Sequence, residues 1–302
     1  VMLSKSSNAQ HQPITNLSYL KRSKSIATLG ASACLALILS ACSQENSPNE
    51  TAVVTENAPQ TTQPSDAIRI AAAANLSDVL PEIIEGYKKD KNLPNQEIEV
   101  TFASSGKLYS QITAGAPYDI FLAANQEFPA KLVDEMFKGD SSHTPFTYTQ
   151  GQLSIYSATK PVDSLNQSTL TELLKRDDKT KITIANPELA PYGESAKAYL
   201  QAQNLYDSLT AQKRIIQAEN IGQAFQYAHT GNVDYGFVAQ SQVTATKATP
   251  EQFYILPADS YPAILQDGIV ITDGASAADF TDYLRSPAGQ AYFAKAGYLA
   301  VK

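Results

Sequence analysis

The chain has 302 residues, with 30 Asp and Glu against 23 Lys and Arg and a formal net charge of −7. The leader up to Cys42 takes four of the basic side chains and no acidic one, so the remainder holds 19 basic against 30 acidic residues, a net charge of −11. A body this acidic argues against nucleic acid as a partner, and an anionic ligand would have to be held by local dipoles against the overall field.

Lys5, Lys21, Arg22 and Lys24 precede an apolar run over residues 26–41. At about 16 residues, the run falls short of the roughly 20 that span a bilayer as a helix, and it reads as an export signal. It ends in Leu39-Ser40-Ala41-Cys42, which resembles the lipobox of bacterial lipoproteins and implies cleavage before Cys42 and lipidation on it. A signal anchor with an incidental cysteine is the alternative. Cys34 and Cys42 are the two cysteines; with one removed and the other lipidated, no pair remains for a disulfide or a thiolate metal site. Residues 43–66 are dominated by Ser, Asn, Thr, Gln, Pro and Glu, a composition that cannot bury enough surface to offset ordering entropy, and read as a tether.

From residue 67 on, short β-rich runs alternate with amphipathic stretches, which predicts an α/β fold. Strands are expected over 68–72, 98–103 and 118–123, with helices over 76–89 and 107–114. The helix over 76–89 carries Leu76, Val79, Leu80, Ile83, Ile84 and Tyr87 on one face. A second unit of the same kind follows, with strands over 153–157, 182–185, 215–218 and 233–238 and helices over 170–176, 195–203 and 221–230. A strand over 264–272 and helices over 277–285 and 288–296, split by Ser286-Pro287, close the chain. Two α/β units across a cleft fit a solute-binding protein, and by periodicity alone fit a two-domain enzyme equally well.

In open α/β sheets ligands sit beyond the carboxyl ends of strands, where helix N-termini present free N–H groups. Four strand-to-helix turns carry small or polar residues: Ala74-Asn75-Leu76-Ser77, Ser104-Ser105-Gly106-Lys107, Pro191-Tyr192-Gly193 and Asn220-Ile221-Gly222. Any one of them is an ordinary helix cap. Their order and spacing, however, resemble the periplasmic molybdate-binding family from residue 68 to the C-terminus. The resemblance includes the turn from Ala72 to Leu76, Phe102-Ala103-Ser104-Ser105-Gly106 and the Ala114-Gly115-Ala116-Pro117-Tyr118-Asp119-Ile120-Phe121 block. It continues through Asn186-Pro187-Glu188, Pro191-Tyr192-Gly193, Ala218-Glu219-Asn220, Gly236-Phe237-Val238-Ala239 and Ser286-Pro287-Ala288-Gly289-Gln290.

What the resemblance implies is a two-lobed, type II periplasmic binding fold. Residues 67–148 and 243–302 would form the first lobe and 149–242 the second, with crossings near Thr149 and Gln242. It implies molybdate, and commonly tungstate, held as an oxyanion by neutral donors with no direct metal ligand and no cofactor. Asn75 and Ser105 would donate from the first lobe, the backbones of Tyr192 and Ile221 from the second, and Ala74 through its backbone. An ABC permease is the implied partner, and the protein is expected to be a periplasmic, lipid-anchored monomer. Some members place a tyrosine hydroxyl on the oxyanion from the position where this chain has Ala239.

Molybdate carries two charges and no proton near neutrality, so a site of donors suits it, whereas partly protonated phosphate needs an acceptor as well. Sulfate or a small organic anion is the alternative ligand. An enzyme would need a nucleophile with a base or a metal cluster, and His11, His143 and His229 lie far apart in sequence. Asp78 and Glu82, at i, i+4, read as carboxylates favouring a helix dipole, and Lys107 as a solvated first-turn lysine. Tyr87, Tyr109, Tyr118, Tyr148, Tyr156 and Tyr199 read as core edges rather than an adhesive surface.

Overall fold

The computed structural model describes residues 67–176 and 179–301; the predicted export signal, Cys42 and the tether lie outside them. The first sheet is built from β1 (Ile68–Ala73), β2 (Ile98–Ala103) and β3 (Ile120–Leu122), with α1 (Val79–Asp90), α2 (Ser105–Thr113) and α3 (Glu127–Met136) between and after them. The chain then runs through β4 (Phe146–Gly151) into β5 (Leu153–Tyr156), α4 (Gln167–Lys175), β6 (Ile182–Ala185), α5 (Pro191–Ala202) and α6 (Tyr206–Ala211). Next come β7 (Ile215–Ala218), α7 (Ile221–His229), β8 (Tyr235–Ala239), α8 (Gln240–Ala245) and β9 (Phe253–Ile255). It ends with β10 (Ile264–Val270), α9 (Ala275–Arg285) and α10 (Pro287–Lys295).

Two five-stranded sheets result, ordered β2-β1-β3-β10-β4 and β7-β6-β8-β5-β9. In each, three neighbouring strands run parallel and the last two join antiparallel to their neighbours. The sheets are the centres of two α/β lobes, as predicted. One residue, Gln152, joins β4 of the first lobe to β5 of the second. The return does not lie near Gln242. Because β9 pairs with β5, the chain stays in the second lobe through Ile255 and crosses back within 256–263. The sequence around β9 conceals this, since a three-residue edge strand is too short to display an alternation.

Three strands, β2, β6 and β7, have the bounds that patterning predicts. Helix α5 begins at Pro191 rather than Ser195, because proline at the first helical position gives up an N–H that has no intrahelical partner anyway. The expected helix from Leu76 is instead a separate 3-10 turn, Ala74–Leu76, followed by α1 from Val79. The Asn75 carbonyl accepts from the Tyr298 and Ser241 hydroxyls, which occupy the acceptor that a continuous helix would use. Strand β4 and helices α3, α6 and α8 were not anticipated: β4 reads Phe-Thr-Tyr-Thr-Gln-Gly and α8 buries Gln240, Ser241 and Gln242, against the usual apolar signal.

The first lobe's core sets the apolar face of α1 against α9 and α10. Leu80, Ile83 and Tyr87 pack with Phe280, Tyr283 and Phe293, and the Tyr87 and Phe280 rings meet edge to face at 5.2 Å. In the second lobe Ile155, Ile182, Ile184, Tyr199 and Phe237 form the centre, and Ala73, Ala74 and Ala124 of the first lobe join the same cluster. Only small side chains would let the lobes approach this closely. The two histidines among the described residues serve separate structural roles: His143 is within 2.9 Å of the Val270 carbonyl and His229 within 2.8 Å of the Tyr156 hydroxyl. Phe280 is wholly buried, so Phe280→Ala should lower unfolding free energy by about 3–5 kcal/mol in urea titration, without moving the residues of the cleft.

Candidate functional site

The turn after β1 and the starts of α2, α5 and α7 meet between the lobes around one cavity. Ala73, Ala74, Asn75, Ala103, Ser104, Ser105 and Ala124 line it from the first lobe, and Ala190, Pro191, Tyr192, Asn220 and Ile221 from the second. All five residues singled out in the sequence, Ala74, Asn75, Ser105, Tyr192 and Ile221, are therefore brought together. The cavity is small, about 10 Å³, room for about one water and far below the ~300–1,000 Å³ of pockets for drug-sized ligands.

No Asp, Glu, Lys, Arg or His lines this cavity. The polar groups its lining residues can offer are first-turn backbone N–H groups, which a helix leaves without internal partners, and hydroxyl and amide side chains. Gly193 brings α5 onto the end of β6: a Cβ there would run into the carbonyl of Ala185. That close approach seats the start of α5, with Tyr192, at the cavity. The Asn220 side chain caps α7 by accepting from Gln223 N at 3.0 Å, and Gln242 Nε2 donates to the Ile221 carbonyl at 3.0 Å, so the Ile221 peptide is held from behind.

Ser105 Oγ accepts from Ala124 N at 2.9 Å, which orients the hydroxyl and leaves its proton to donate. Asn75 Nδ2 donates to Gln266 Oε1 and to the Tyr298 hydroxyl, each at 3.0 Å, so the expected amide donor is engaged inside the protein. Asn75 Oδ1 is buried with no partner, and so is Ser104 Oγ. Ser104 precedes α2 in the capping position yet makes no capping bond. Buried polar atoms are normally satisfied, at a cost of about 1–3 kcal/mol when they are not. Two such atoms in residues around one cavity point to a polar ligand there.

Behind the cavity lies a network of neutral groups. Gln266 Nε2 donates to the Tyr192 hydroxyl at 3.1 Å, across the lobes, and the Tyr148 hydroxyl lies 2.8 Å from the Ala123 carbonyl and 3.1 Å from Gln266 Oε1. Burial is the first cause that pushes the hydroxyls of Tyr148, Tyr192 and Tyr298 well above the usual phenol range, so they stay protonated at physiological pH. Sequence reading places Ser104 and Asn220 in the ligand turns without giving either a role, and does not select Gln266 or Tyr298. For Gln266 a signal exists: with Asp267 it interrupts the apolar residues of the strand Ile-Leu-Gln-Asp-Gly-Ile-Val. Tyr298, far away in sequence, carries none.

The remaining candidates fall away from the cavity. Lys107 Nζ pairs with Glu219 Oε1 across the cleft at 2.6 Å, both side chains almost half exposed. It is thus an ion-paired lysine at the rim rather than a purely solvated one, and its contribution is about 0–1 kcal/mol. Asp78 and Glu82 are exposed just before and within the first turn of α1. Tyr87, Tyr148, Tyr156 and Tyr199 are buried, and Tyr109 and Tyr118 half-buried. Ala239 is wholly buried and does not line the cavity. Among the described residues, no three His, Cys, Asp or Glu side chains cluster as metal ligands.

Comparison with known proteins places this geometry in context. Residues 68–299 match a family described as bacterial extracellular solute-binding protein. The molybdate-binding protein ModA of Azotobacter vinelandii is 34% identical over 235 residues, 76% of this chain and 89% of the relative. ModA of Rhodobacter capsulatus is 32% identical over 232 residues, 76% of this chain and 86% of the relative. The solved periplasmic molybdate-binding protein of Azotobacter vinelandii superimposes with a TM-score of 0.70, at 32% identity, over 78% of this chain and all of that one.

In a helix, alanine is ordinarily more favourable than glycine by about 1 kcal/mol. Gly193→Ala should reverse that sign and lower the thermal unfolding midpoint, because the added methyl displaces α5 from β6; a raised midpoint would show that the close approach does not constrain α5.

Proposed function

Because the chain belongs to the bacterial extracellular solute-binding protein family, we propose that it captures molybdate outside the cytoplasmic membrane and delivers it to an ABC-type permease. As a member of this family it is a binding protein and not an enzyme. The observation that carries the ligand is the cavity itself: small, without a charged side chain, and lined by helix starts and hydroxyls. Such a lining suits a compact anion that brings no proton. A dianion is stabilised there by several aligned N–H dipoles, each acting at short range in a low-dielectric site. The Azotobacter and Rhodobacter relatives, at 34% and 32% identity, are named for molybdate.

In this reading Ser105 donates through its hydroxyl, Tyr192, Ile221 and Ala74 through backbone N–H groups, and Asn75 through its amide once that amide is turned. Ser104 adds a hydroxyl. Tungstate, of the same charge and shape, binds in the same place, and sulfate is rejected by its smaller size. Lobe closure brings the two halves of the donor set together, and the ion pair between Lys107 and Glu219 and the bond from Gly106 N to the Leu189 carbonyl at 2.8 Å close the rim. The proposal extends to a monomer held at the membrane by lipid on Cys42, which keeps the binding lobes near the permease.

Thermal unfolding with molybdate, tungstate, sulfate, phosphate or no added anion tests the ligand. An anion at 100 times its dissociation constant adds about 2.7 kcal/mol, and the midpoint is expected to rise for molybdate and tungstate alone. A rise with sulfate or phosphate of equal size, or none with molybdate, would refute the assignment. Ser105→Ala removes a donor to a charged group and should weaken molybdate binding by about 1.5–3 kcal/mol in calorimetry; unchanged affinity would remove Ser105 from the donor set.

A further inference from the structure

The geometry points to Gln266 as a positioning residue: it sets which end of the Asn75 amide faces the bound anion, and through the same side chain it couples that choice to the contact between the lobes. This deepens the oxyanion reading above and rests on it.

Gln266 is completely buried on β10, where the register against β4 shifts between it and Asp267. One end of its amide meets Asn75 and Tyr148 of the first lobe, and the other meets the Tyr192 hydroxyl of the second. In this arrangement Asn75 Nδ2 points into the network and Oδ1 is the end without a partner. Against a dianion, an amide oxygen is the wrong end, since it offers lone pairs to lone pairs.

Half a turn of the Asn75 amide exchanges donor for acceptor with almost no change of shape. The turned Oδ1 would then oppose Gln266 Oε1, unless Gln266 turns as well. With both amides turned, Gln266 Nε2 donates to Asn75 Oδ1 and to the Tyr148 hydroxyl, which still donates to the Ala123 carbonyl. The Tyr192 hydroxyl becomes the donor to Gln266 Oε1. The Tyr298 proton moves to Asn75 Oδ1, and the Asn75 carbonyl keeps the Ser241 hydroxyl, already 3.2 Å away. Every member is then paired, and Asn75 Nδ2 is released to the anion. The first arrangement leaves Asn75 Oδ1 unpaired; the second, with an anion present, leaves no member of this network unpaired. The anion therefore selects the second, and the turn is transmitted to Tyr192, whose backbone N–H belongs to the proposed donor set. Gly151 makes room for this contact, because a Cβ there would strike the Tyr192 hydroxyl and Gln266 Nε2.

The test is a double-mutant cycle on molybdate affinity by calorimetry, with Asn75→Ala, Gln266→Met and the pair. If Gln266 acts through Asn75, each single change weakens binding by roughly tenfold and the pair by little more than either alone, as for residues of one network. Independent effects that multiply would overturn the inference. Side-chain amide NMR of the wild-type protein gives a second readout that needs no variant to fold: saturating molybdate should move the Asn75 and Gln266 amide signals together. A Gln266 signal that stays in place would overturn it too. Failure of the wild type to bind molybdate would overturn the ligand assignment and the coupling together, whereas binding with multiplicative effects overturns the coupling alone.

Discussion

The meeting of helix starts from two separate sheets at one point is the constraint on which the rest of the molecule depends. Each start contributes backbone N–H groups that its own helix cannot use, and none suffices for a small anion. Bringing them within reach of a single group requires that the strand ends of both lobes face each other with almost nothing between. The sequence satisfies this with alanine: Ala73, Ala74, Ala103, Ala124 and Ala190 line the cavity, and three of them belong to the core cluster of the opposite lobe. A larger side chain at any of these places would hold the helices apart. The net charge of −11 beyond Cys42 makes the arrangement more demanding, since no positive field helps and Lys107, beside Ser105 and Gly106, is already paired with Glu219.

The donors need rigid backing to keep their aim, and the backing is polar. Asn220 fixes α7 from its own cap, Gln242 holds the Ile221 carbonyl, and Ala124 N fixes Ser105. Such groups are costly to bury unless each finds a partner. Tyrosine and glutamine are well suited, because a phenol or an amide both donates and accepts and stays neutral. A carboxylate in the same positions would put negative charge beside the anion.

How much of this was legible follows from where the information sits. Strands β2, β6 and β7 show in the sequence because β2 alternates apolar with polar residues and β6 and β7 are short, isoleucine-rich runs bounded by turns. The cavity residues show because hydroxyls, asparagine and glycine recur just after such runs, at places where a ligand is expected in any α/β sheet. Helix α8 does not show, because its buried face is Gln240, Ser241 and Gln242, packed for hydrogen bonding rather than apolar contact. The second crossing was misplaced for a related reason: β9 has three residues, and only its pairing with β5 reveals its lobe. The Asn75 partners, Gln266 and Tyr298, lie 191 and 223 residues away, a juxtaposition that local pattern does not contain.

The two links between the lobes have mechanical consequences. One is the single residue Gln152; the other, 256–263, carries Pro257 and Pro262 with their fixed φ. They are laced together, since Leu153 N donates to the Tyr261 hydroxyl at 2.9 Å and Leu256 N to the Leu153 carbonyl at 3.0 Å. Gln152 Nε2 also donates to the Gly297 carbonyl at 2.8 Å, next to Tyr298. A spine this short and this bonded resists sliding and twisting, and leaves one soft coordinate, rotation about an axis along the spine. Such a joint works as a lever: a small angular change beside Gly151 sweeps the far lips of the cleft through a much larger arc, so the outer faces of the lobes report the angle most strongly.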